Sequence, residues 1–134
     1  MRPSCDSLLM DTAWLWSRRS TCSRLNVGAV VAKDTRILSQ GYNGAPSVLP
    51  HCPDPHEEGP CRRAVHAEAN ALMWAARQGI RTEGSDLYCT HQPCLECSRL
   101  IINAGIGCVF YDKEYRDSSG VSLLDKAVVE GCKM

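Results

Sequence analysis

The sequence predicts an α/β fold of three layers: a mixed sheet of four to five strands with helices on both faces. Three observations lead there. Short runs rich in β-branched and aromatic residues recur at 27–32, 37–42, 86–90 and 107–111. Stretches with apolar residues at three- and four-residue spacing fall between the later runs, at 66–78 and 94–104, and Gly79 and Gly105 are placed to stop them. The first two runs are joined only by the polar turn at 33–36, which implies an antiparallel hairpin, whereas the later strands are separated by helices.

Taken in order, 4–20 reads as a helix. Ser4 or Asp6 can cap it, and Leu8, Leu9, Thr12, Ala13, Leu15 and Trp16 form its apolar face. The hairpin follows, with Asp34-Thr35 a weaker turn signal than Asp-Gly. Residues 45–62 hold five prolines and no periodicity, and a loop of that length is usually functional or tied down. In the helix at 66–78, Ala67, Ala71, Leu72, Trp74 and Ala75 share the apolar side. The strand at 86–90, the helix at 94–104 and the strand at 107–111 come next. A short helix at 121–129 ends the pattern, leaving little room for a full fifth strand before Met134.

The 134 residues suit one domain, 1–134, with one core. Formal net charge is zero, so no overall electrostatic case exists for nucleic acid, and aromatic content of 6% is poor for base stacking. No apolar run reaches the roughly 18 residues that would suggest a membrane span. Nine cysteines could mean a disulfide scaffold. The count is odd, however, the N-terminus lacks an apolar leader, and one Cys-x-x-Cys adjoins a proline. The reading is therefore thiolates on metal in a reducing cytoplasm.

Two stretches carry chemistry: His66-Ala67-Glu68-Ala69-Asn70, and Pro93-Cys94-Leu95-Glu96-Cys97. One His and two Cys suit Zn²⁺, and three protein ligands leave the fourth tetrahedral position to water. Cys94 and Cys97 are spaced i,i+3, which puts both sulfurs on one face of a helix's first turn, where the macrodipole favours thiolate. Glu68, two residues past His66, cannot point the same way on a helix and reads as a proton carrier. Alone, Pro-Cys-x-x-Cys also fits a structural zinc knuckle or a redox pair. Joined to His-x-Glu in this order, it matches the general signature of zinc deaminases.

The segments Arg19-Ser20-Thr21-Cys22-Ser23-Arg24, Val27-Gly28-Ala29-Val30-Val31, Gly41-Tyr42-Asn43-Gly44-Ala45-Pro46, His51-Cys52, His66-Ala67-Glu68-Ala69-Asn70-Ala71, Pro93-Cys94-Leu95-Glu96-Cys97 and Ile101-Ile102-Asn103-Ala104-Gly105-Ile106 together resemble the deoxycytidylate (dCMP) deaminases, including their phage and competence-operon relatives. The likeness spans roughly residues 14–116. It implies the cytidine-deaminase-like fold, a catalytic zinc on His66, Cys94 and Cys97, and the reaction of dCMP with water to dUMP and ammonia.

The resemblance also assigns further residues. Asn43 would bind sugar or base, and Ala67 and Glu68 would meet the base edge. Arg24, Tyr111 and Tyr115 would lie near the phosphate, with edge-of-sheet packing as the alternative for the two tyrosines. Gly41, Tyr42, Asn43 and Gly44 would form an effector loop for dCTP and dTTP, in a homo-oligomer that is a dimer or hexamer. Some relatives hold a second, structural zinc. Cys22 and Cys52 match its positions; His56 and Cys61 would complete it, with His51 as the competing ligand. The compact segment between Cys52 and His66 departs from the longer insertion of many relatives. It keeps CMP, deoxycytidine and 5-substituted dCMP as alternative substrates. A nucleic-acid module and a non-catalytic zinc protein are the competing classes; neutral charge argues against the first and Glu68 against the second.

Overall fold

The computed structural model describes residues 1–51 and 63–134. The elements run α1 (Cys5–Ser17), β1 (Gly28–Lys33), β2 (Arg36–Tyr42), α2 (Ala67–Arg77), β3 (Asp86–His91), α3 (Leu95–Asn103), β4 (Cys108–Lys113), α4 (Ser119–Lys126) and β5 (Glu130–Lys133). The strands form one sheet in the order β2-β1-β3-β4-β5. β1 is antiparallel to both β2 and β3, whereas β3, β4 and β5 are mutually parallel. This is the mixed sheet that the hairpin and the later strand–helix alternation predict.

Side chains alternate across the sheet and sort the core into two halves. Ala29, Val31, Leu87, Cys89, Val109 and Tyr111 face Ala67, Ala71 and Leu72 of α2, Ile101 of α3 and Leu124 of α4. Val30, Ala32 and Tyr88 face Leu9, Met10 and Ala13 of α1. Helices therefore cover both faces. Among the described residues, no helix is long and apolar enough to cross a membrane.

Ser4 caps α1, its Oγ accepting the Ser7 N–H at 3.1 Å. Asp6 does not cap; it accepts the Tyr88 hydroxyl at 2.6 Å. The helix stops at Ser17, short of the expected 20, and its buried face differs from the expected one. Leu8 and Leu15 are exposed, while Met10 and Ser17 are buried. Trp74 is likewise exposed on α2, not packed under it.

The tail does make a fifth strand. It is four residues long and pairs with β4 from Cys108↔Glu130 to Tyr111↔Lys133. The hairpin turn takes positive φ at both Asp34 (51°) and Thr35 (63°), so a β-branched residue occupies a position that usually goes to glycine.

Candidate active site

α2 and α3 point their N-termini at one another's neighbourhood, and the metal-type donors sit there. His66 is the residue before the first turn of α2, and Cys94 holds the same position on α3. The Cys94 sulfur accepts the Cys97 N–H at 3.5 Å, so the cysteine also caps its own helix. His66 Nδ1 lies 3.5 Å from Cys94 Sγ and 3.3 Å from Cys97 Sγ. A tetrahedral zinc with Zn–N of about 2.0 Å and Zn–S of about 2.3 Å sets N···S near ~3.6 Å, so the donor set fits that ion.

The three groups shift one another's proton affinity. Cys94 is held down at about 4, first by the hydrogen bond from Cys97 and then by His66. Cys97, as the donor to Cys94 and itself buried, is pushed far up. His66 is raised to about 9 by its bond to the Cys94 sulfur. A divalent ion binding here competes with those protons.

Glu68 is buried, in the first turn of α2. Burial raises its carboxyl above the usual range, opposed by its own backbone N–H and by His66. It shares a cavity of about 100 Å³ with Leu25, Val27, Asn43, His66, Ala67, His91, Gln92, Cys94 and Tyr115.

Asn43 anchors one wall of this cavity. Its Oδ1 accepts from Val27 N–H (2.9 Å) and Ser20 Oγ (2.5 Å), and its Nδ2 donates to Leu25 O (2.8 Å). Three of its hydrogen bonds thus hold the 20–27 segment. Ala67 is fully buried at the start of α2, and Tyr115 enters through the loop after β4, its N–H bonded to Gln92 Oε1 at 3.1 Å. Tyr111 lies elsewhere: it is packed in the core beside Cys89 and is not among the residues lining the cavity. Arg24 is exposed on the connection between α1 and β1, also outside the lining set.

Gly41-Tyr42-Asn43-Gly44 divides between two places. Asn43 faces the cavity, whereas Gly41, Tyr42 and Gly44 line a separate groove of about 520 Å³ with Arg19, His51, Trp74 and Arg77. Gly41 needs no left-handed backbone. A Cβ there would meet Ala67 O at 2.5 Å and Ala71 N at 2.7 Å, so its glycine lets β2 approach α2. Asn70 secures the same junction by donating to Tyr42 O at 2.7 Å.

Cys22 is half-buried; Cys52, His56 and Cys61 lie outside the described residues. A different three-donor group occurs at the far end of the sheet. Cys108, Glu130 and Cys132 place their donor atoms within 4.8 Å of one another. Sequence reasoning did not single out His91 or Gln92. Their position would have flagged them, since they end β3 and lead directly into the cysteine helix, and ligands of open α/β sheets gather beyond the carboxyl ends of strands.

A His/Cys/Cys donor set on two helix N-termini, with a buried carboxylate in the same cavity, defines the zinc-deaminase class. Residues 3–113 match the family model described as the cytidine and deoxycytidylate deaminase zinc-binding region, and the chain belongs to that family. It is 40% identical over 121 residues to ComE operon protein 2 of Bacillus subtilis, aligning over 86% of this chain but only 62% of that protein. It is 40% identical over 127 residues to the deoxycytidylate deaminase of Mycobacterium phage D29, covering 84% of this chain and 98% of the phage protein. The crystal structure of dCMP deaminase from the cyanophage S-TIM5 in complex with dCMP and dUMP superimposes with a TM-score of 0.90 at 40% identity, covering 100% of this chain and 99% of that one.

Proposed function

We propose that this chain is a zinc-dependent hydrolytic deaminase that converts dCMP and water to dUMP and ammonia. The observation that carries the reading is the buried Glu68 carboxyl in one cavity with His66 and Cys94. Similarity to phage deoxycytidylate deaminases over most of the chain supports the choice of substrate. His66, Cys94 and Cys97 hold the zinc. When bound, zinc lowers the pKa of a coordinated water to about 7 and so supplies the nucleophile.

Glu68 would take the first proton of the attacking water and pass it to the pyrimidine ring nitrogen, then take the second from the hydroxyl left on the carbon and deliver it to the departing amine. A carboxyl raised by burial suits both directions of transfer. Ala67 and Asn43 border the base, and Tyr115 stands on the open side. The test is ammonia release from dCMP, CMP, deoxycytidine and 5-substituted dCMP. We expect dCMP to be preferred; equal turnover of deoxycytidine would overturn the nucleotide assignment in favour of a nucleoside deaminase.

The groove lined by Gly41, Tyr42 and Gly44 supports a second reading, regulation by dCTP and dTTP within a dimeric or hexameric homo-oligomer. It offers Arg19 and Arg77 for phosphate and an exposed Trp74 ring, over which Arg77 lies at 6.0 Å, for a base. Adding either triphosphate to the same assay, with solution mass measured alongside, tests it. Cys22, Cys52, His56 and Cys61 belong to a second, structural zinc on this reading, and metal analysis then returns two ions per chain. We infer a cytoplasmic location from the free-nucleotide substrate class.

A further inference from the structure

We propose that His91 is a substrate-binding residue: its Nε2–H donates a hydrogen bond to an acceptor oxygen of the nucleotide in the catalytic cavity. The inference rests on the deaminase reading above and adds a residue to it.

The tautomer follows from a chain of bonds. The buried Thr90 hydroxyl accepts the Gly28 N–H at 3.1 Å. Its own hydrogen needs an acceptor, and His91 Nδ1 lies 2.7 Å away. Nδ1 therefore accepts, and the proton of a neutral imidazole sits on Nε2. Burial lowers the His91 pKa, reinforced by Lys113 and opposed by Asp112, and keeps the ring neutral.

The ring is also held in place. Trp14 packs against it with centroids 5.5 Å apart, and the Trp14 indole N–H is fixed by Asp112 Oδ2 at 2.8 Å. Among the described residues, two neighbouring polar side chains of the cavity, Gln92 and Asn43, are more fully committed. Gln92 accepts from Tyr115 N–H and donates to Asp117 O, and Asn43 makes the three bonds given above. Among the described residues His91 is bonded only through Nδ1, which leaves the Nε2–H of this cavity-lining ring without a protein acceptor. A pyrimidine nucleotide offers two kinds of matching oxygen, the ring carbonyl and the phosphate.

The test compares wild type with His91→Phe, which keeps a ring for Trp14, and His91→Gln, which restores a donor. Bound zinc is measured for each. His91→Phe should keep zinc and lose roughly 10- to 100-fold in kcat/KM for dCMP, the scale of one lost hydrogen bond to a polar ligand. His91→Gln should recover part of the loss. A loss that persists with deoxycytidine places the bond on the carbonyl, and a loss confined to dCMP places it on the phosphate. Wild-type activity in a zinc-loaded His91→Phe, or equal impairment of Phe and Gln, overturns the proposal. A wild-type protein that deaminates no cytosine compound overturns the functional reading and this proposal with it.

Discussion

Two groups of three donors can be set side by side: His66, Cys94 and Cys97 at the helix N-termini, and Cys108, Glu130 and Cys132 on β4 and β5. Each contains two cysteines close enough to share a proton. Their acidities diverge. Cys94 is held at about 4, with an imidazole beside it and a helix starting at it. Cys108 is pushed up to about 12, first by burial, then by Cys132, with Glu130 adding to the push. At Cys94 hydrogen bonds from Cys97 and His66 outweigh burial and favour the thiolate; at Cys108 burial leads, and Cys132 and Glu130 add to it, favouring the thiol. The first group also faces a cavity and has a buried carboxyl behind it, whereas Glu130 is exposed on an edge strand. Proximity of donors is common to both, and the difference lies in what surrounds them.

The largest break in this comparison is Cys97→Ala, which should remove bound zinc and reduce turnover to background, checked by metal analysis and ammonia release. Glu68→Gln should separate binding from chemistry: zinc stays, and turnover falls by about 10²- to 10⁴-fold, the usual contribution of a positioned proton carrier. A matched pair of glycines sharpens the contrast further. A Cβ on Gly120 would lie 2.5 Å from Pro93 O and 2.8 Å from both Cys94 C and Ser98 Oγ, so α4 presses on the backbone that leads into α3. A Cβ on Gly131 meets nothing nearer than Val121 Cγ1 at 3.8 Å. Gly120→Ala should cost about 1–3 kcal/mol in denaturant unfolding and weaken zinc retention against a chelator, while Gly131→Ala changes stability by less than ~0.5 kcal/mol. Smallest of all, Cys108→Ser combined with Cys132→Ser should leave kcat/KM within about twofold of wild type.

The metal site was readable because its chemistry is local. His-x-Glu and Cys-x-x-Cys each open a helix: His66 and Cys94 take the position before the first turn, and Glu68 and Cys97 lie within it. The buried face of α1 was not readable, because apolar residues surround the helix: Leu8, Leu9, Met10, Ala13, Trp14, Leu15 and Trp16 leave periodicity nothing to choose between. The sheet selects Leu9, Met10 and Ala13. β5 has the sequence Glu-Gly-Cys-Lys, with poor strand propensity, and is a strand because β4 offers it a paired edge. The split of Gly41-Tyr42-Asn43-Gly44 between cavity and groove depends on the end of β2 meeting α2 and the 20–27 segment, a long-range fact that no short motif states. His91 could have been flagged by its place at the end of β3, whereas its packing against Trp14 is long-range and was not legible.

Asn43 ties those long-range facts to the catalytic cavity. The 20–27 segment has no helix or strand of its own, yet one carboxamide bonds Ser20, Leu25 and Val27 and fixes a stretch whose free chain would carry about 1–2 kcal/mol of conformational entropy per residue. The Asn43 backbone adds to this, accepting the Thr21 N–H and donating to Val27 O, so one residue holds the segment at both its ends. Much of the cavity's shape on that side is therefore set by bonds that converge on Asn43 within the chain itself.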